Sequence, residues 1–455
     1  MATLGKYEYT NSLKADGHRR ILFPSEVSGK YQSLKKIVHP LMILNFLILP
    51  FLYVGEDRLI LFDIQHRSFF LFGFSFNAQD IYLIFFLVTG VAFSLFFITA
   101  LVGRIFCGWA CPQTVFLEGI YRRVERWIEG SQAAFFKRHT QKDKLYYRNL
   151  IIKSLAYVLI SAILAHFIVL YFVQLNVYYE MWTVDVSTHP VVFGWIVFLT
   201  LLLTFNYGWF REQLCLIICP YGRLQSVLTD DDSLVIGYDP MRGEPRGKAK
   251  DQNRGDCIDC GRCVQVCPTG IDIRNGLQME CIGCANCIDA CDEIMDKVGQ
   301  SKGLIRYDSY NGLVHQPKRI LRPRIFVYAV LLVIGAIVST TMVSKRTNFE
   351  ANMLRSQGSP YTFSQSDIQN QFEIHLFNKD RFERTYVIIP QPTESVVFTI
   401  PIAKITIPKL GDQRIPVFVS MPKEKYRQSF PIEVLVRDEG SQEEIVAKST
   451  FLGPR

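Results

Sequence analysis

Residues 257–268 read CIDCGRCVQVCP and residues 281–292 read CIGCANCIDACD. Each run spaces four cysteines as C-x2-C-x2-C-x3-C; the first closes on Pro268, the second on Asp292. This is the spacing for a pair of [4Fe–4S] clusters, because three soft thiolates can come from one short loop and the fourth from the other run. The expected grouping is Cys257, Cys260, Cys263 and Cys291 on one cluster, and Cys281, Cys284, Cys287 and Cys267 on the other. Zinc sites also use C-x2-C pairs, but they take four ligands each and often include histidine. No histidine lies between Tyr238 and Arg306. The chemistry implied is movement of single electrons.

Outward from these runs the chain is apolar. Of its 455 residues 49% are hydrophobic, and they cluster. Segments 37–54, 81–102, 151–173, 191–210 and 325–343 approach the roughly 20 apolar residues needed to cross a bilayer. None has an Asp, Glu or Arg in its apolar core; Lys153, near one end, is expected to snorkel to the interface. A long polar stretch precedes the first segment and no small-residue cleavage site follows, so a retained helix is expected rather than a signal peptide. Lys and Arg set the orientation. They number seven before residue 37, nine over 103–150 and sixteen over 211–324, against two over 55–80 and none over 174–190. The N-terminus, the 103–150 loop and the cysteine-rich insert are thus expected on the cytoplasmic side, and the tail after 343 outside. The net charge of +8 then reflects contact with membrane lipid rather than nucleic acid. All twelve cysteines fall on the cytoplasmic side and the tail has none, which suits reduced thiols.

The expected organisation is a basic tail at 1–36, a four-helix membrane domain at 37–220, a linker at 221–254 and a ferredoxin-type two-cluster domain at 255–317. A fifth span at 325–343 and a β-rich domain at 345–455 follow. Within 114–129, Phe116, Ile120, Val124, Trp127 and Ile128 recur at helical spacing opposite Arg122, Arg123, Glu125 and Arg126. That pattern predicts an interfacial helix, apolar face in lipid and basic face toward phosphates. In the tail, short alternating runs at 372–377, 386–390, 395–400, 403–407, 414–421 and 430–436 are separated by turn signals, which predicts a small β-sandwich.

The other four cysteines form a repeat. Cys107 and Cys111 lie in RIFCGWACP (104–112), and Cys215 and Cys219 in REQLCLIICP (211–220). Each unit is R-x2/3-C-x3-C-P directly after a span. Residues i and i+4 share one side of a helix, so each pair is expected to chelate, and the proline suits the start of a new helix. Two pairs related by pseudo-symmetry would make a four-thiolate site. Cysteines can also be small buried core residues. Thiolates suit Cu(I), zinc and iron–sulfur alike, and a thiol/disulfide couple is a further option. His166, inside the third segment, is read as a ligand or as a neutral histidine bonded to a neighbouring helix. His39 is expected to cap an interface, and Met42, Met181 and Met342 to pack or to hand on copper. Glu180, Asp185 and His189 form a solvated loop or a cation site. There is no C-x2-C-H, no strand–G-x-G-x-x-G–helix and no P-loop, so electrons are expected from a partner protein, a quinol or a small reductant.

Five spans, two C-x3-C-P pairs, a two-cluster insert and a β-rich tail together resemble the FixG/RdxA/CcoG family of cytochrome c oxidase accessory proteins, from about Tyr31 to the end. NapH-like and NosR-like membrane proteins share the C-x3-C-P pairs and the ferredoxin; the β-sandwich tail is what points to this family. The resemblance implies a mainly α membrane protein of five transmembrane helices, a cytoplasmic two-cluster ferredoxin insert and a C-terminal immunoglobulin-like sandwich. It also implies reduction of Cu(II) to Cu(I) during maturation of cbb(3)-type cytochrome c oxidase, with oxidase assembly factors and copper-handling proteins as partners. On it, Cys107, Cys111, Cys215 and Cys219 are the copper or redox positions and the eight insert cysteines the cluster ligands. Asp292 departs from the proline of many ferredoxins, which bears on the local turn and not on ligation. A quinol-linked electron-transfer subunit and a structural assembly scaffold are the rival functions; the sequence names no electron donor and leaves a homodimer open.

Overall fold

The computed structural model describes residues 22–454 except 66, 77–79, 252, 318, 320, 365, 381 and 392–395. Most of the expected basic tail, residues 1–21, therefore lies outside the described residues, as do Ser395 at the start of one expected strand run and two residues of the segment leading to the fifth span. The chain forms two units, 1–52 with 87–336, and 53–86 with 337–455.

Among the described residues five helices are long and apolar enough to span a membrane: Lys30–Phe51, Tyr82–Val102, Lys144–Leu170, Pro190–Phe210 and Pro323–Ser344. The first begins at Lys30, ahead of the apolar run expected from residue 37. Its start is fixed from outside, because the backbone N–H groups of Tyr31 and Gln32 donate to the Asp289 carboxylate at 3.2 and 2.7 Å. That carboxylate satisfies two of the four donors every helix start leaves open. Gly29 permits the approach: a Cβ there would stand 2.3 Å from Asp289 Cγ. His39 lies inside this helix, 2% exposed, rather than capping an interface. Tyr53–Val54, expected at the end of the span, is a strand.

In the first unit, strand Val235–Tyr238 pairs antiparallel with Ile305–Asp308 and closes the cysteine-rich insert. Residues 221–254, expected as a linker, thus carry this strand and most of the helix Pro220–Leu228. Helix Asn286–Lys297 runs through Asp292, whose carboxylate accepts from Gly303 N at 3.0 Å. A proline inside that helix would remove a hydrogen bond and clash with the preceding turn.

The segment expected as an interfacial helix is helical over Pro112–Phe116, Leu117–Tyr121 and Arg122–Glu129, but its polar face is turned inward. Arg122, Glu125 and Glu129 are buried, while Trp127 is 82% exposed. Arg122 donates to Glu118, to Glu212 at 3.3 Å and to the Pro268 carbonyl at 3.2 Å. Arg211 grips Glu125 with two hydrogen bonds of 3.0 and 2.8 Å and reaches Tyr157 Oη at 3.2 Å. Lys153 does not snorkel; it pairs with Glu125 at 3.3 Å and Glu129 at 3.2 Å. The partners come from the third span and from the loop after the fourth, which is why local periodicity misassigned this face.

In the second unit, two antiparallel sheets carry the core. One runs Val397–Thr399, Asp412–Pro422, Asp367–Asn378, Phe349–Arg355, with Thr362–Ser364 on its flank; the other runs Lys404–Ile407, Arg384–Pro390, Phe430–Asp438, Glu444–Phe451. Alternate residues point inward: Phe372, Ile374 and Leu376 against Ile415, Val417 and Val419, and Ile432, Val434 and Val436 on the facing sheet. The sandwich was expected; strands Phe349–Arg355, Thr362–Ser364 and Glu444–Phe451 were not. Neither were the short strands between Tyr53 and Phe76. Buried Asp80 ties that segment to the tail through Arg346 at 2.9 Å and Lys379 at 3.2 Å.

Arg211→Ala strands the buried Glu125 carboxylate with Lys153 alone and should cost roughly 3–5 kcal/mol. Tyr157→Phe, which removes the hydrogen bond from Arg211 and the one to the Tyr121 carbonyl but leaves the Arg211–Glu125 pair intact, should cost about 2 kcal/mol. Thermal unfolding in detergent distinguishes the two.

Candidate functional site

The insert encloses two cysteine-lined cavities. Cys257, Cys260, Cys263 and Cys291 line one, against Ile258, Ile294, Met295, Leu304 and Ile305. Cys263, Cys267, Cys281, Cys284 and Cys287 line the other, against Ile236, Ile271, Ile273 and Ile282. In both runs the residue after the second cysteine, Gly261 or Ala285, is left-handed and starts a helix that carries the third. Soft sulfur donors in an apolar wall fit a cubane, in which each iron takes one thiolate. Among the described residues no three His, Cys, Asp or Glu side chains gather as they would around a single ion. Cys260 is exposed, whereas Cys284 is buried.

The C-x3-C-P units differ from expectation in one respect. Cys107 sits in helix Ile105–Trp109, but Cys111 has left it, extended at φ −62°, ψ 127° before Pro112. Cys215 sits in the helical turn Leu214–Ile218, and Cys219 is extended at φ −62°, ψ 112° before Pro220. The two cysteines of a pair therefore do not share one helix face. The proline is the cause: its ring pushes the preceding residue out of the helical region. It also begins the next helix, as expected.

The two units interlock. Arg104 of the first donates to the Gly222 carbonyl of the second at 2.5 Å. Gln225 Nε2 donates to Cys107 Sγ at 3.4 Å, and the Cys107 thiol faces Gln225 Oε1 at 3.6 Å. In the other direction, Gln113 Nε2 donates to the Arg211 carbonyl at 3.1 Å, and Asn206 Nδ2 donates to Gln113 Oε1 at 2.8 Å. All four thiols are free and partly buried. Burial pushes the Cys107 thiol up to about 11 and the Cys215 thiol up to about 12; neighbouring cysteines of both units add to each shift. The four sulfurs thus lie within electrostatic reach of one another. Cys107 and Cys215 are thereby held as thiols, and a metal ion they bind must displace their protons.

The first C-x3-C-P unit is packed directly on the second cysteine run. A Cβ on Gly108 would stand 2.7 Å from Cys284 Cα and 2.8 Å from Cys284 N. A Cβ on Gly283, whose φ is +68°, would stand 2.9 Å from the Arg104 carbonyl oxygen. Around this seam, Trp109 Nε1 donates to Tyr307 Oη at 3.0 Å and Tyr307 Oη donates to the Gly283 carbonyl at 2.6 Å. Tyr31 packs edge-on to both rings, and Lys35 Nζ lies 5.5 Å from the Trp109 ring centre. Gly108, Gly283, Trp109, Tyr307 and Gln225 were not singled out from the sequence. The glycines beside cysteines in both motifs were the only signal, and nothing local says that they meet.

The remaining candidates are engaged locally. His166 Nδ1 lies 3.1 Å from Tyr178 Oη. Asp185 accepts from Ser187 N and Oγ, and His189 faces Glu180 at 3.5 Å. Met181 is fully buried against Val169 and Ile196.

Comparison with known proteins gives three matching family profiles: a 4Fe-4S binding domain over 82–137, a 4Fe-4S dicluster domain over 210–310, and an immunoglobulin-like fold at the C-terminus of FixG over 339–454. The chain is 34% identical over 391 residues to Protein RdxA of Cereibacter sphaeroides, 81% of each chain. It is 34% identical to Protein RdxB of the same organism over 88% of each chain. It is 29% identical to the nitrogen fixation protein FixG of Rhizobium meliloti over 99% of this chain and 97% of that one. A solved FixG-related protein from Vibrio parahaemolyticus, 12% identical, aligns over 24% of this chain and all of its own with a TM-score of 0.22.

Gly108→Ala forces a methyl group into the Cys284 backbone and should lower the iron bound per chain. Gly194→Ala, in open space, should not. Iron and acid-labile sulfide assays on the purified variants check this.

Proposed function

The chain belongs to the FixG/RdxA family, as a membrane iron–sulfur electron-transfer protein, and from that premise we propose that it reduces Cu(II) to Cu(I) for the assembly of cbb(3)-type cytochrome c oxidase. Cys257, Cys260, Cys263 and Cys291 hold one [4Fe–4S] cluster; Cys281, Cys284, Cys287 and Cys267 hold the other. Seven of these cysteines line one cavity each in that grouping, and Cys263 lines both, which supports the assignment. Each cluster, when bound, supplies one electron at a time. Cys107, Cys111, Cys215 and Cys219 receive the copper substrate.

The observation that carries this reading is the seam between the thiol site and the second cysteine run. Gly108, next to Cys107, lies against Cys284, so packed protein rather than solvent separates an electron source from the thiols. Soft thiolates favour Cu(I) over Cu(II), so ligation and reduction pull the same way. Copper gains one electron, and the displaced thiol protons leave to water. Gln225 orients Cys107, and Arg104 pins the two units together. The basic loops favour a cytoplasmic location for the thiols and the insert in a bacterial inner membrane, with the sandwich outside. Oxidase assembly factors and copper-handling proteins are the partners.

The test is Cu(II) reduction by dithionite-reduced, desalted protein, followed with a Cu(I)-specific chelator. Cys107→Ser/Cys111→Ser with unchanged iron content should reduce copper at least tenfold more slowly than wild type. Equal rates would mean that the clusters reduce copper without the thiols, and the copper role of these cysteines would fall.

A further inference from the structure

A third cavity, of about 160 Å³, lies beside the second cysteine run and contains no cysteine of the C-x3-C-P units. Its wall includes Val102, the last residue of the second span, together with Ile105, Leu234, Leu277, Met279 and Cys281. Arg104, Gln278 and Tyr307 add polar groups to a lining that is otherwise mostly aliphatic. For scale, a dry cavity of roughly 150 Å³ accepts a benzene ring.

Three features define what fits there. The cavity stands at the end of a membrane span, so its depth is that of the lipid–water interface. Its rim is apolar and open: Leu277 and Met279 are 51% and 66% exposed, and the helix leading into lining residue Thr229 exposes Leu224 and Val227. Exposed apolar groups at that depth face lipid rather than water. Finally, Cys281 itself forms part of the wall. An occupant entering from the bilayer is therefore apolar, about one ring in size, and in contact with a cluster ligand.

We propose that this cavity binds the head group of a membrane quinol, and that the quinol is the reductant of the iron–sulfur pair. The ring lies between Ile105 and Leu277, and its isoprenoid chain leaves past Met279 into lipid. One quinol breaks two O–H bonds and becomes the quinone. Its two electrons go one to each oxidised [4Fe–4S] centre, and its two protons leave to water at the rim. The proposal deepens the preceding one by naming the electron donor. It rests only on the iron–sulfur pair and not on copper, so the two can fail separately.

The test mixes the full-length detergent-purified protein, without copper, with a short-chain quinol or quinone. Oxidised protein meets the quinol and dithionite-reduced, desalted protein meets the quinone, so exchange is seen whichever way the potentials run. Cluster absorbance is followed by stopped flow. The quinol should reduce oxidised wild type, and Leu277→Trp and Thr229→Phe, which fill the cavity, should be reduced at least tenfold more slowly at wild-type iron content. Unchanged rates in the filled variants, exchange only from reduced protein to quinone, or no exchange by wild type in either direction, would overturn the proposal. Should both variants lose iron, photolabelling of wild type with an azidoquinone decides. Label within 102–105 or 277–279, competed by unmodified quinone, supports the site, and label only elsewhere removes it.

Discussion

Two glycines hold this molecule's chemistry together. Gly108 and Gly283 let the backbone of the first C-x3-C-P unit lie on the backbone of the second cysteine run, with no side chain between them. Any other residue at either position would open the seam by the thickness of a methyl group. Gly283 carries a second constraint, because its positive φ is one that glycine alone adopts without strain. Around the contact, Trp109, Tyr307 and Tyr31 form an aromatic collar, and Tyr307 holds the Gly283 carbonyl by a hydrogen bond.

Behind the seam lies a network of buried charges. Arg122 binds Glu118, Glu212 and the carbonyl after Cys267, while Arg211 and Lys153 share Glu125. Burial works against the Arg211 charge, but the Glu125 carboxylate outweighs it and holds the guanidinium above its ordinary value. Buried ion pairs seldom add net stability over apolar packing, yet they specify geometry because a single missing partner is expensive. Here they fix the loops after the second and fourth spans, and the loop that leaves Cys267, in one arrangement. Asp289 does similar work at the start of the first span, tying its first turn to the helix that carries Cys287 and Cys291.

The architecture was legible in the sequence because each part carries a strong local signal: apolar length for five spans, cysteine spacing for the insert, alternation for the sandwich. Of the eight cysteines grouped by spacing, seven line one cavity each and Cys263 lines both. What failed to show was set by partners distant in sequence. The face holding Arg122 and Glu125 reads as a surface because both sign and periodicity are those of a surface; Glu212 and Arg211, which bury it, come some ninety residues later. The strand Glu444–Phe451 was missed for a similar reason, since only its pairing with Phe430–Asp438 makes it a strand. In the C-x3-C-P units the i, i+4 argument overlooked the proline, whose local rule is stronger and sends Cys111 and Cys219 out of their helices.

The central claim is that electrons reach the thiol site across the Gly108–Gly283 seam and not from the exposed edge at Cys260. Rapid freeze-quench EPR of the reduced protein after mixing with Cu(II) tests it most directly, with the two cluster signals assigned beforehand through ligand variants. The account predicts that the centre held by Cys281, Cys284, Cys287 and Cys267 loses its signal first, with the other following as it re-equilibrates. Prior loss of the signal belonging to Cys257, Cys260, Cys263 and Cys291 would contradict it and place copper reduction at the exposed end of the insert.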